Sequence, residues 1–400
     1  MSTETTERST EDERQLRDGL ARLQDQLLDL SHRIHARPEL RYEEHFASAL
    51  LVEALAGAGF AIEQCVADLP TAFLATHDTG RPGPTVAIFC EYDALEEIGH
   101  GCGHNLIAAA GLGSGLLARE WLVAHPEIGG RLVVVGSPAE EGGGGKIAML
   151  ESGCLDGIDA AMMIHPSGEN LSAMRTLSRA GLEIEFEGRA AHAAVSPQLG
   201  INALDAAVLT LNAIGLLRQQ LPSDARVHGI ITDGGEAQNI IPERTRIVAS
   251  VRTEDPQLLL ENVQPRVENC ARGAALATGA TVEIRPTAPV YAAIRPNPVL
   301  GDLVEHHFAR LGRRTEPPRT EVYPGSTDMG NVSQVIPSIH PTVEIVPGLD
   351  MHSRRAAELA GGPDGDRCAL DGALLLAMTA VALFARPELV DEARRTFEER

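Results

Sequence analysis

The chain has 400 residues, 44% of them apolar and only 3% aromatic, with 34 Lys and Arg against 56 Asp and Glu for a formal net charge of −22. That length is more than one core usually serves and predicts two domains. The charge, with no Lys or Arg cluster to relieve it, excludes nucleic acid and anionic membrane as partners.

The first residues, Met1 to Glu13, are polar and acidic and lack the basic start and apolar centre of a signal peptide, so the expected location is cytoplasmic. No apolar stretch reaches the roughly 20 residues that a bilayer span needs. The six cysteines, at 65, 90, 102, 154, 270 and 368, have no paired spacing and read as free thiols. Residues 1–14 carry charge and hydroxyls with nothing to bury and are expected to form a disordered tail. Beyond them Leu16, Leu20, Leu23, Leu27, Leu28 and Leu30 recur near helical spacing, which predicts a helix ending before Pro38. A second helix fits residues 43–57. Thr85 to Cys90 carries no charge and reads as a buried strand. The loop that follows, Gly99-His-Gly-Cys-Gly-His, holds three potential ligands, His100, Cys102 and His104, between glycines that let the backbone bend two of them toward one ion. The alternative there is a tight turn with incidental histidines.

Residues 105–124 read as an apolar helix and Arg131 to Gly136 as a strand. That strand runs into Glu140 and Glu141, adjacent carboxylates whose side chains diverge on an extended segment, and then into four glycines and Lys146. A phosphate-binding loop would need Ser or Thr after the lysine, and Ile147 stands there. A short helix at 145–152 precedes a strand at 160–165 ending in His165. Such alternation predicts an α/β domain, a mostly parallel sheet flanked by helices. In open sheets of this kind the carboxyl ends of the strands line the functional crevice, so Cys102 with His104, Glu140 with Glu141, and His165 are expected at one edge.

The pattern changes near residue 180, where Leu182-Glu-Ile-Glu-Phe-Glu alternates as a strand with one wet face. A helix at 203–219, strands at 227–231 and 245–251, a helix at 258–277 and a strand at 281–284 complete a smaller α+β domain over 180–290. The first style resumes, with a strand at 342–346 and a helix at 369–384. The small domain is therefore inserted into a larger one made of residues 15–179 and 291–400. His352, in Asp350-Met-His-Ser, reads on its own as an ordinary surface residue. Without further context Arg252 reads as a surface charge at a strand end.

Several runs together carry a resemblance: Glu91-Tyr-Asp-Ala-Leu, Gly99-His-Gly-Cys-Gly-His-Asn, Gly136-Ser-Pro-Ala-Glu-Glu, Gly234-Gly-Glu-Ala-Gln-Asn-Ile-Ile-Pro and Gly325-Ser-Thr-Asp-Met-Gly-Asn. In order, and over nearly the whole chain after residue 15, they resemble the dinuclear zinc aminoacylase and glutamate carboxypeptidase family. Within it the match is to the amidohydrolase branch of aminobenzoyl-glutamate hydrolase, the indoleacetyl-amino-acid hydrolases and dipeptidases acting on basic dipeptides. Asn105 agrees with the aminobenzoyl-glutamate and dipeptidase members.

The resemblance implies a zinc-exopeptidase-like fold whose inserted domain serves as lid and dimerisation domain. It implies two divalent metal ions per chain, zinc first, with manganese or cobalt as alternatives. Cys102, His104, Glu141, His165 and His352 would be the ligands, Glu140 the general base, and Glu91 or Asp93 the carboxylate behind them. His100 becomes a neighbour of the ligands. His192 would polarise the scissile carbonyl, from its own chain or from the partner of a homodimer. Asn239 and Arg252, helped by Ser326 and Thr327, would grip the carboxylate of a small amide or dipeptide substrate. The implied reaction is amide hydrolysis of an N-acyl amino acid or a dipeptide, the dipeptidase form acting on basic or β-alanyl dipeptides. Two other classes stand beside it. A thiol enzyme with Cys102 as nucleophile leaves Glu140, Glu141, His165 and His352 without work, and a catalytically silent binding member would need a broken ligand set, which is not seen.

Overall fold

The computed structural model describes residues 3–317, 322 and 325–399. They form two compact units, the larger from residues 1–175, 294–321 and 331–400 and the smaller from 176–293 and 322–330. The last of these segments was expected in the larger domain. It is stitched to the start of a strand of the smaller unit: the Leu177 N–H donates to Gly325 O, and the Ser326 hydroxyl donates to Leu177 O.

In the larger unit a six-stranded sheet has the order Ala61–Gln64, Phe73–Asp78, Arg131–Gly136, Thr85–Cys90, Ala160–Met162, Ser338–Ile339. The first two junctions are antiparallel and the other three parallel. Thr85–Cys90 is buried at every position, as an uncharged strand covered on both faces should be. The helix His104–Ala124 lies close against it because glycines face the sheet. A Cβ at Gly111 would stand 2.4 Å from Cys90 Sγ, and one at Gly115 would stand 2.4 Å from Val134 Cγ2. On its other side a Cβ at Gly113 would stand 2.8 Å from Leu27 Cδ1 and 2.9 Å from Ala373 Cβ, so this helix is buried all round as far as Ala118.

Three sequence expectations need correction. The segment 160–165 is not one strand: Ala160–Met162 belongs to the main sheet, whereas His165–Ser167 pairs in parallel with Thr342–Glu344 in a separate two-stranded sheet. Pro166 and Pro341 lack the N–H that a continuous ladder would use there. The expected disordered tail is helical from Thr3, within a helix Thr3–Ala36. Asp12 accepts from Trp121 Nε1 at 2.8 Å and Leu16 is buried, so the charged segment is held by contacts that composition does not reveal. Finally, His104–Ala124 and Pro363–Ala385 are long and apolar enough to cross a membrane, but 83% and 78% of their most apolar windows are buried inside the fold.

The smaller unit carries a four-stranded antiparallel sheet in the order Thr281–Pro286, Ser178–Glu187, Arg244–Thr253, Arg226–Asp233. One face, with Leu182, Ile184, Phe186, Ile247 and Val251, packs on the helices Ala203–Leu217 and Gln264–Thr278. The helix expected at 258–277 is helical from Pro256 to Thr278, interrupted by a π turn at Leu259–Val263, where Pro265 cannot donate to the preceding turn.

Candidate metal centre

Each candidate ligand in the larger unit sits where a strand or helix ends. The Gly103 backbone is left-handed, at φ +74°, and starts the helix at His104. A Cβ at Gly103 would meet Pro166 Cγ at 2.6 Å, so glycine lets the His104 loop approach the His165 segment. The Glu140–Glu141 pair follows Ala139, held at φ +59° by an N–H donated to Glu44 Oε1 at 2.8 Å. His352 is also left-handed, at φ +59°, and its N–H donates to Gly101 O at 2.9 Å, which joins its loop to that of Cys102. Non-glycine residues in this region cost energy and cluster at functional sites.

These elements gather the donors. Cys102 Sγ lies 3.4 Å from His165 Nε2 and 3.2 Å from His352 Nε2. His352 Nε2 is 3.2 Å from Glu141 Oε1. Potential ligand atoms of three overlapping groups lie within 4.8 Å of one another: Cys102 with His104 and His165, Cys102 with Glu141 and His352, and His104 with Glu140 and Glu141. Cys102 is common to the first two, so its sulfur lies among the donors of both. Two donors bound to one tetrahedral ion at ordinary bond lengths stand roughly 3.3–3.6 Å apart, close to the separations found here.

The histidines are oriented for this. Nδ1 of His104 donates to Asp93 Oδ1 at 2.9 Å, and Nδ1 of His165 donates to Pro166 O at 2.7 Å, so each presents Nε2 to the cluster. Asp93 also accepts the Glu141 N–H through Oδ2 at 2.9 Å, which ties two ligand segments to one carboxylate. Glu91 takes a different place. It pairs with the fully buried Lys146, while its Oε2 lies 3.7 Å from His104 Nε2. Among the described residues neither Glu91 Oε2 nor His104 Nε2 has a hydrogen-bond partner, and both are buried. Orphaned buried donors and acceptors facing one another are costly unless something binds between them.

Burial and neighbouring charges shift these donors in different directions. Burial, and then the Glu141 charge, push the Cys102 thiol well above its ordinary range. Burial would raise Asp93 and Glu141, but His104 beside Asp93, and His352 and His104 beside Glu141, hold both carboxyls low. Burial also disfavours a charged His104, yet the facing Cys102 and Asp93 outweigh it and raise its pKa. A cysteine sulfur, three imidazoles and a carboxylate, converging and, except for the exposed His352, buried or partly buried, fit zinc or a similar divalent ion. His100 belongs to none of the three groups; burial lowers its pKa to about 3 and its ring stacks on His35.

The remaining candidates lie in the smaller unit. The exposed His192 bridges to Ile240, and its Nδ1 accepts from the N–H groups of Ala194 and Val195, both at 3.2 Å. That leaves the ring proton on Nε2, a hydrogen-bond donor. Asn239 is adjacent, its carbonyl accepting the Ala193 N–H at 2.9 Å. Arg252 donates to Ser326 Oγ at 3.2 Å, and since the Ser326 proton goes to Leu177 O, that hydroxyl supports Arg252. The Thr327 hydroxyl accepts the Met329 N–H at 3.2 Å at the start of the helix Met329–Val335.

Three residues around these donors are not among the expected site residues, although Lys146 enters the sequence analysis as part of a phosphate-binding loop. Lys146 could have been singled out as a lysine in a glycine-rich apolar run. His340 is fully buried and stacks on His165 at 5.7 Å. Glu44, on the amino-terminal side of its helix, gives no sequence signal at all.

The family model described as peptidase family M20/M25/M40 matches residues 77–358. The chain is 39% identical over 383 residues to a Xaa-Arg dipeptidase of Mus musculus, covering 92% of this chain and 88% of the relative. It is 36% identical over 277 residues to one of the p-aminobenzoyl-glutamate hydrolase polypeptides of Escherichia coli, covering 64% of this chain and 56% of that one. Among solved structures, a dinuclear metal-binding peptidase of the M20 family from Bacillus subtilis superposes with a TM-score of 0.67 at 21% identity, over 91% of this chain and 99% of that one. At that identity the likeness is one of fold.

Proposed function

The chain belongs to peptidase family M20/M25/M40 and is a hydrolase of amide bonds, and from that premise we propose a two-metal amidohydrolase that frees an amino acid from an N-acyl amino acid or a dipeptide. The observation that carries the reading is Cys102 Sγ lying within 3.4 Å of two imidazole Nε2 atoms, beside a His104 that Asp93 orients. In it Cys102, His104, Glu141, His165 and His352 would hold the ions, Asp93 orients His104 from behind, and Glu91, paired with Lys146, faces His104 Nε2. Divalent cations held there would supply Lewis acidity, lowering the pKa of water toward neutrality and drawing charge from the scissile carbonyl.

The protein's own groups supply the rest. Glu140, 7% exposed and next to Glu141, takes a proton from the attacking water and returns it to the leaving amine. A carboxylate cannot polarise a carbonyl, so a donor is needed at the oxygen. His192, with its proton on Nε2, is that donor and stabilises the oxyanion as it forms. Arg252, with Asn239 beside His192, receives the carboxylate of the leaving half.

A dipeptide substrate is favoured by the similarity to a Xaa-Arg dipeptidase along 92% of the chain. A homodimer joined through the smaller unit, with His192 acting in its own or in the partner's site, belongs to the same reading. The edge strand Arg226–Asp233 supports it, being exposed along most of its length with Ile230 65% exposed. A cytoplasmic setting, in which the six cysteines, all free, would stay reduced, also belongs to this reading.

The test is Glu140→Gln. It should keep the metal content of the wild type by elemental analysis and lose roughly a hundred- to ten-thousandfold in turnover of dipeptides and N-acyl amino acids. Near-wild-type turnover removes Glu140 from its role, and metal-free protein that still turns over removes the two-metal reading.

A further inference from the structure

The polar face of the sheet in the smaller unit distributes its charges unevenly. Toward one end, Glu185 accepts from Arg244 and Arg246, and Glu183 lies within 3.6 Å of Arg246 and Arg285. There the fold supplies a carboxylate for each guanidinium. Toward the other end, Arg179 stands directly opposite Arg252 in the register of Ser178–Glu187 against Arg244–Thr253. Directly opposed residues on antiparallel strands have Cβ atoms about 5 Å apart, and like charges so placed repel. Arg226 opposes Arg252 from the other side, but its guanidinium is turned to the carbonyls of Ser223 and Ala225.

Arg179 has no carboxylate partner among the described residues, and its Nε is buried with no hydrogen-bond partner. Burial, and then the Arg179 charge, hold Arg252 below its ordinary pKa; burial, and then Arg252 and Arg179, lower His228, which opposes Ser250 on the neighbouring strand. Two adjacent guanidiniums, one with a dry and unsatisfied N–H, form a poor pair in isolation and a good one around an anion.

We propose that Arg179 and Arg252 together form a two-arginine clamp for one carboxylate, the terminal carboxylate of the substrate's leaving half, with Arg179 the residue that makes the enzyme demand a free acid there. This rests on the amidohydrolase reading above, in which Arg252 is the one arginine that meets that group. The clamp adds a second guanidinium fork from another direction, so a carboxylate can be gripped at both oxygens while a carboxamide, neutral and carrying its own N–H donors, is rejected. Repulsion between the two arginines is the standing cost of the site and is relieved when the anion arrives.

The experiment compares a dipeptide with its C-terminal amide, using metal-loaded wild type, Arg179→Gln and Arg179→Met. For the free acid, KM should rise roughly ten- to hundredfold in either variant, the effect of losing a charge-assisted contact, with kcat moving far less. The amide should change little, so the acid-to-amide preference collapses. Thermal unfolding without substrate should show the variants at or above the wild-type midpoint, since a repulsion has been removed; this readout also establishes that they fold. Equal effects on acid and amide, an unchanged KM for the acid, or a lowered midpoint in both variants would overturn the clamp. If wild type hydrolyses neither compound, the amidohydrolase reading itself fails.

Discussion

At the residue scale the site depends on side chains whose work is to hold others. Asp93 is the clearest case, one carboxylate fixing the tautomer of His104 and the backbone of Glu141. Glu44 is the less visible one. Its carboxylate accepts the N–H of the left-handed Ala139, the N–H of Tyr42 and the hydroxyl of Thr71. Burial, then the nearby Asp93 charge, raise its pKa from 4.5 to about 7. A carboxyl whose pKa is raised by folding binds its proton more tightly in the native state. Its contribution is fully present below the unfolded value and is lost as pH climbs through the native one. Metal-free wild type should therefore lose up to about 3 kcal/mol between pH 4.5 and 7 relative to Glu44→Gln, whose profile should be flatter in that window. Parallel urea-denaturation curves for the two proteins would contradict this.

At the scale of elements, the proposed ligands are delivered by a strand end, a helix start and loops that meet only because glycines let the backbone close up. His104 opens the helix that Gly111 and Gly115 allow to lie on Thr85–Cys90 and Arg131–Gly136. A methyl group at position 111 would stand 2.4 Å from Cys90 Sγ and 2.9 Å from Phe89 O, with backbone on one side and a buried strand on the other. Gly111→Ala should thus cost about 1–3 kcal/mol by overpacking, despite the better helix propensity of alanine. A guanidinium midpoint equal to or above that of the wild type would show that the helix can move away without penalty.

At the scale of the whole molecule, the open question is what covers the edge strand Arg226–Asp233. Exposed Ile230 there, with Val208, Leu209 and Leu216 exposed on the helix Ala203–Leu217, is more apolar surface than a strand edge usually leaves bare. In the homodimer reading this surface meets its own copy. Ile230→Asp should convert a dimer to monomers in sedimentation, and if His192 acts from the partner, activity should fall with the dimer. A variant that sediments as wild type removes this strand from the interface.

The sequence by itself determined the strands and helices with strong apolar patterns. Thr85–Cys90 and Arg131–Gly136 are uncharged or nearly so and bounded by turn residues, and their limits in the structure are those expected. The glycine-flanked His100, Cys102 and His104, and the paired Glu140 and Glu141, were legible because chemistry of that kind needs those residue types close together. Tertiary structure alone decided the rest. His352 looks ordinary in the sequence because the residues that give it meaning, Cys102 and Glu141, are more than 200 positions away. His100 and His104 are alike on paper, and only Asp93 reaching His104 and the dry stacking of His100 on His35 separate them. The break after Met162, the ordered amino-terminal helix and the opposition of Arg179 to Arg252 have the same origin. Local patterns record which face of an element is apolar, whereas partners across the chain are chosen by register and packing.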